Sequence, residues 1–139
     1  MGSLRVVFDT NVLVSAIGFG GTPWDCLVLA FVGDIEMVTT EAAIAEFERV
    51  LGYDRLPFTE AERDQYPALI RAEATVVDPD ESVQMIDDDP DDDLFLETAL
   101  EAEADYIVSG DPHLTDFGVF RDIDIISPSD FLAEAGARL

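Results

Sequence analysis

Short β-branched apolar runs, separated by stretches of helical period, constrain this chain more than any other feature of its sequence. Leu4-Arg5-Val6-Val7-Phe8 and Tyr106-Ile107-Val108 do not alternate apolar with polar, so each reads as a strand buried on both faces. Ile35–Val38 and Asp122–Ile126 are further strand candidates, and Thr75-Val76-Val77 is a shorter apolar run. Between them, Thr22-Pro23 opens a helix whose apolar side is Trp24, Leu27, Val28 and Phe31, and Gly33 ends it. A helix from Thr39 or Thr40 to Leu51 carries Ala43, Ile44, Phe47, Val50 and Leu51 on one stripe. Thr59 and Glu62 have capping-box spacing, and a helix follows to about Ala74, broken or kinked at Pro67. Ser127-Pro128-Ser129-Asp130 caps a terminal helix carrying Phe131, Leu132 and Ala135. Strands alternating with helices predict an α/β fold with a central, mainly parallel sheet of four to five strands. With no repeat and no linker in 139 residues, a single domain over 1–139 is expected.

Asp87–Asp93 places six acids in seven positions directly before a helical pattern, Leu94 to about Glu103. Pro90 suits the first helical position, and Asp89 is a natural N-cap. At 100° per residue, Leu96, Ala99 and Leu100 lie at about +40°, −20° and +80° from Asp92. Asp92 therefore falls near the middle of the apolar stripe, with Asp91 and Asp93 flanking it. A carboxylate on a buried helix face needs an Arg, a backbone cap or a metal ion.

Net charge is −24, from 31 acids and seven bases, all of them Arg. Such a charge opposes compaction at low salt and is a halophile's device. The acids are interleaved with a strong apolar pattern, which argues against disorder and for a folded protein from a high-salt cytoplasm. The fold is expected to lose structure in dilute buffer and regain it in molar KCl, where the Debye length is about 3 Å. Circular dichroism across that range checks it, and a cooperative fold unchanged in dilute buffer would contradict it. Cys26 and His113 are the only residues of their kinds, so no disulfide and no Cys- or His-based zinc site can form within the chain. No apolar run approaches the ~20 residues of a membrane span, and no signal peptide is visible, so a cytoplasmic protein without membrane contact is expected. There is no basic footprint for nucleic acid.

In open α/β sheets, sites lie beyond the carboxyl ends of the strands. Asp9 ends the first strand, Asp111 follows another by way of Gly110, and a right-handed crossover brings the helix start at Asp92 to the same edge. Three convergent carboxylates raise one another's pKa or require a cation, and with no His or Cys at hand an oxygen-only set suits Mg²⁺ or Mn²⁺ rather than zinc. Glu46 and Glu48 lie symmetrically about their helix stripe, so spacing does not choose between them as an inward acid.

Phe8-Asp9-Thr10-Asn11 resembles the opening of PIN domains. Thr40 to Leu51 with Glu46, Asp92 to Ala99, and Ser109-Gly110-Asp111 resemble that family's three later motifs in order, and Ile126–Leu132 resembles the ending of one toxin branch. The resemblance implies a three-layer α/β/α fold and a Mg²⁺- or Mn²⁺-dependent ribonuclease, in many members a toxin held inactive by a small antitoxin protein and commonly a homodimer. It implies Asp9, Asp92 and Asp111 as metal ligands, Glu46 rather than Glu48 as the fourth catalytic acid, and Asn11 and Ser109 as residues that orient the acids. Other classes remain in view: a degenerate PIN domain or a structural Ca²⁺ or Mg²⁺ site on a binding module, and a phosphatase with Asp9 as nucleophile. The last lacks the second Asp, two residues on, of the common aspartate-phosphatase motif.

Overall fold

The computed structural model describes residues 4–54, 56–78 and 90–138, with side chains outside 90–94 and 136–138. Its strands are β1 (Leu4–Phe8), β2 (Ile35–Thr39), β3 (Thr75–Val76), β4 (Tyr106–Val108), β5 (Val119–Phe120) and β6 (Ile123–Ile126). The helices are α1 (Thr10–Phe19), α2 (Gly21–Phe31), α3 (Glu41–Leu51), α4 (Glu60–Glu73), α5 (Pro90–Glu101), α6 (Pro112–Thr115) and α7 (Pro128–Arg138). The sheet order is β3-β2-β1-β4-β6-β5. Every pairing is parallel except β5 with β6.

The unalternated runs are explained by burial on both faces. Val6 and Phe8 of β1 join Tyr106 and Val108 of β4 in one core, with residues of α1, α2, α3 and α7. Val7 and Ile107, one residue out of phase, join Phe95, Leu96 and Ala99 of α5, and Ala102 just beyond it, in the other. Period-two alternation thus feeds two apolar layers rather than one layer and solvent. The mainly parallel α/β sheet with helices on both sides is as predicted from the sequence.

Three details depart from the sequence reading. The segment after Asp9, to which the sequence pattern assigns no element, is helix α1. Its residues Val12, Leu13, Val14 and Ala16 are buried, while the apolar Phe19 is exposed, as is the polar Asn11, which blurs the amphipathic stripe. It turns into α2 at an angle of 100°, through Gly20 and Gly21, whose φ values of 73° and 69° suit residues without a Cβ. The sheet also has six strands among the described residues rather than four or five, because Val119-Phe120 pairs back on β6. That hairpin turns on Arg121 and Asp122, both at positive φ and directly between the paired Phe120 and Ile123, as a two-residue type I′ loop requires. Finally, α4 continues through Pro67 rather than breaking there, and Thr59 and Glu62 close its capping box. Asp89 lies outside the described residues.

Helix α5 runs back along the sheet. At its C-terminal end the Ala102 carbonyl accepts from Arg5 Nη1 at 2.9 Å, at the start of β1. Farther up, Thr98 Oγ1 lies 3.4 Å from Thr40 Oγ1, just past the end of β2. Asp92 is six residues before Thr98, about 9 Å along the axis. The backbone start of α5 therefore lies at the carboxyl edge of the sheet.

Candidate functional site

Strand order reverses between β1 and β4: the chain leaves β1 toward β2 and β3, then crosses back to β4 on the other side. Two neighbouring strand ends there send their connections to opposite sides, which opens a crevice at the carboxyl edge. Asp9 and Asp111 emerge from those two ends.

Asp9 extends the β1–β4 ladder by one bond, its N–H donating to Val108 O at 3.1 Å. Its carboxylate then caps α1, Oδ1 accepting from the Val12 N–H at 2.8 Å, while Oδ2 accepts from Ser109 Oγ. Ser109 is fully buried and held in place by its own N–H, which donates to Ile126 O at 2.9 Å. The same Ser109 hydroxyl oxygen accepts from the Asp111 N–H at 2.9 Å, so one side chain positions both acids. Asp111 caps α6 through the His113 N–H at 2.9 Å, and His113 Nδ1 lies 3.4 Å from the same carboxylate oxygen. His113 itself is exposed, as a surface histidine.

Burial dominates the electrostatics of Asp9. It is 4% exposed, and desolvation of its charged form pushes its pKa up from 3.8 to about 6. The Ser109 hydroxyl and the Val12 and Gly110 N–H groups pull it down, while the negative Asp111 pushes it up further. No Arg or His pairs with Asp9 among the described residues. A buried carboxylate beside a second one, with no basic partner, is a donor set that fits a hard divalent cation.

Ser109→Ala is expected to destabilise the protein by about 1.5–3 kcal/mol near neutral pH, because a buried carboxylate oxygen loses its hydroxyl donor. Ser109→Thr keeps that donor and should recover most of the loss. Chemical denaturation of both variants measures it, and an alanine variant as stable as the parent would contradict the assignment.

The other sequence-derived acids stand differently. Glu46 sits on α3 with its side chain 12% exposed and its Oε1 3.6 Å from Arg49 Nη2, whereas Glu48 is exposed. Glu46 is thus the more inward of the pair that spacing could not separate. Among the described residues, no three His, Cys, Asp or Glu side chains gather closely enough to hold a metal ion, so Glu46 does not form such a group with Asp9 and Asp111. The side chains of Asp91, Asp92 and Asp93 lie outside the described residues. Asn11 is exposed, and with Val12, Ser15, Pro23, Gly110, Asp111, Pro112 and Pro128 it lines a cleft of about 440 Å³ beside the acid pair. Sequence reading gave Pro23 and Pro128 only as helix starts and did not single out Ser15 or Pro112. Nor did it single out Thr98, fully buried against Thr40 and well off the predicted α5 stripe.

A mainly parallel sheet that reverses order between two strands, each ending in an acid, defines an open α/β protein with its site at the reversal. Residues 5–113, well over half of the chain, match the family model for the PIN domain, and the chain belongs to that family. Among solved structures it is similar to VapBC2 from Rickettsia felis bound to a DNA fragment from their promoter. The TM-score is 0.61 at 11% identity, over 88% of this chain and 97% of that one. It is also similar to PAE2754 from Pyrobaculum aerophilum, with a TM-score of 0.65 at 12% identity, over 99% of this chain and 94% of that one. At these identities the likeness is one of fold. No curated protein matches the chain.

Proposed function

We propose that this chain is a single PIN domain over residues 1–139 that acts in the cytoplasm as a divalent-cation-dependent endoribonuclease, the toxin of a toxin–antitoxin pair. The observation that carries the reading is Asp9: a buried carboxylate beside Asp111, tied to it through Ser109, with no basic partner among the described residues. Asp9, Asp111 and Asp92 would hold Mg²⁺ or Mn²⁺, and Glu46 would act as the fourth acid. When bound, such a cation neutralises charge on the reacting phosphate and lowers the pKa of a bound water. The chain's own residues prepare that place. Ser109 holds the Asp9 carboxylate and the Asp111 backbone N–H, the Val12 N–H locks the Asp9 rotamer, and Asn11 stands at the open side where substrate arrives. The −24 charge disfavours phosphate contacts elsewhere, so binding depends more on the acid site than in a basic nuclease. The similarity to VapBC2, a complex bound to promoter DNA, supports a small antitoxin as partner. Self-association as a homodimer completes the reading.

End-labelled RNA incubated with Mn²⁺ should be cut internally, and EDTA should stop it. Release of inorganic phosphate from small esters would point instead to the phosphatase chemistry. The second reading is a degenerate PIN domain that only binds metal or partner. It is favoured by the lack of any three-acid group among the described residues. A Mn²⁺-induced rise in melting temperature with no cleavage of any RNA would establish it.

A further inference from the structure

We propose that the cleft beside Asp111 is a nucleoside subsite, which takes the base and ribose of one unstacked RNA nucleotide next to the phosphate to be cut. The proposal rests on the ribonuclease reading for the phosphate's place, but the binding chemistry comes from the cleft itself. Its volume of about 440 Å³ is that of a small-ligand pocket. Val12, Pro23, Pro112 and Pro128 supply apolar walls, and prolines have almost no side-chain entropy to lose on contact. Asn11 and Ser15 add one amide and one hydroxyl, which together can donate to and accept from the edge of a planar heterocycle. Single-stranded RNA is read in this way, by splayed-out bases held against flat surfaces and bonded along their edges.

The lining disfavours a phosphate. Among the described residues, Asp111 is the only charged one that lines it, and no Arg does. The starts of α1, α6 and α7 around it already carry side-chain caps. Asp9 takes the Val12 N–H of α1, Asp111 takes the His113 N–H of α6, and Ser127 Oγ accepts from the Asp130 N–H of α7 at 3.2 Å. Pro112 and Pro128 open α6 and α7 and have no N–H to give. What remains is a neutral, partly apolar surface with two polar handles. The cleft is also held together in advance. Cys26 Sγ donates to Pro128 O at 3.4 Å, which ties α2 and its Pro23 to the start of α7.

The test uses the full chain and four free nucleosides, with inorganic phosphate as control, observed by saturation-transfer NMR. At least one nucleoside should bind and phosphate should not. Ser15→Leu, which fills the cleft, should abolish nucleoside binding while leaving the Mn²⁺-induced melting shift intact. Ser15→Ala removes only the hydroxyl and should weaken binding up to about tenfold, which keeps the test valid if the leucine variant does not fold. In RNA cleavage, Ser15→Leu should raise KM far more than it lowers kcat. Phosphate binding in place of nucleoside, no binding at all, or nucleoside binding indifferent to both variants would overturn the subsite. Nucleoside binding in a protein that cuts no RNA would leave the subsite standing and remove the ribonuclease reading.

Discussion

Asp9→Asn is expected to stabilise the metal-free protein by about 3 kcal/mol above pH 7 and by almost nothing near pH 4. The cause is the buried carboxylate, whose pKa rises from 3.8 to about 6 on folding, chiefly through desolvation. Between those values the folded state binds more protons than the unfolded one, so stability falls as pH rises through the window. The contribution is fully present below pH 3.8 and lost once pH passes about 6. Asparagine carries no charge to desolvate, and its side-chain oxygen still caps the Val12 N–H of α1. The many other acids titrate in both proteins, so the informative quantity is the difference between parent and variant, followed by denaturant unfolding in EDTA at several pH values. A difference that stays flat from pH 4 to pH 7.5 would show that Asp9 is not the strained group. Adding Mn²⁺ should close the gap from the parent's side, because a cation at Asp9 replaces the missing positive charge.

Asp92→Asn should abolish Mn²⁺-dependent RNA cleavage and remove most of the metal's stabilising effect. For the parent, metal binding should add about 2.7 kcal/mol at a hundredfold excess over its dissociation constant. The variant should gain much less, while its metal-free stability equals or exceeds the parent's. If Asp92 were only a first-turn acid of α5, its loss would cost about 0.3–1 kcal/mol of helix-dipole stabilisation and leave the metal response whole. Melting curves with and without Mn²⁺, beside one cleavage assay, separate the two. The same pair of measurements on Glu46→Gln shows whether that acid acts with the others, since its ion pair with Arg49 alone would leave cleavage untouched.

Much of this was legible in the residues. The runs at β1 and β4 lack alternation because both faces are buried, and that alone marks a parallel sheet. Asp9 and Asp111 could be placed at strand ends, and their meeting followed from one general rule about where such sheets carry their sites. Other features gave no local signal. Val12 and Val14 have strand-like side chains, yet they lie in α1, where their burial in the core overrides propensity. The strand Val119-Phe120 is two residues long, and its turn, Arg121-Asp122, lacks the glycine that usually announces a type I′ hairpin. Trp24, expected on the apolar side of α2, stacks edge-on against Phe31 and stays 39% exposed, because Cys26, Leu27 and Ala30 take the core face.

Sequence by itself determined the class of fold and the sheet edge at which Asp9 and Asp111 lie. These depend on residue type and on periods of two and 3.6, which are short-range properties. Helix period leaves Glu46 and Glu48 at equal angles from the stripe; the resemblance favoured Glu46, and the elements packed around α3 break the symmetry physically, leaving Glu46 inward and Glu48 exposed. Tertiary structure alone placed one hydroxyl, that of Ser109, between two acids whose strands are about a hundred residues apart in the chain. It also brought Pro23, Pro112 and Pro128 around one cleft. Their sequence spacing carries no information about that meeting, because strand order, not chain distance, sets which loop ends become neighbours.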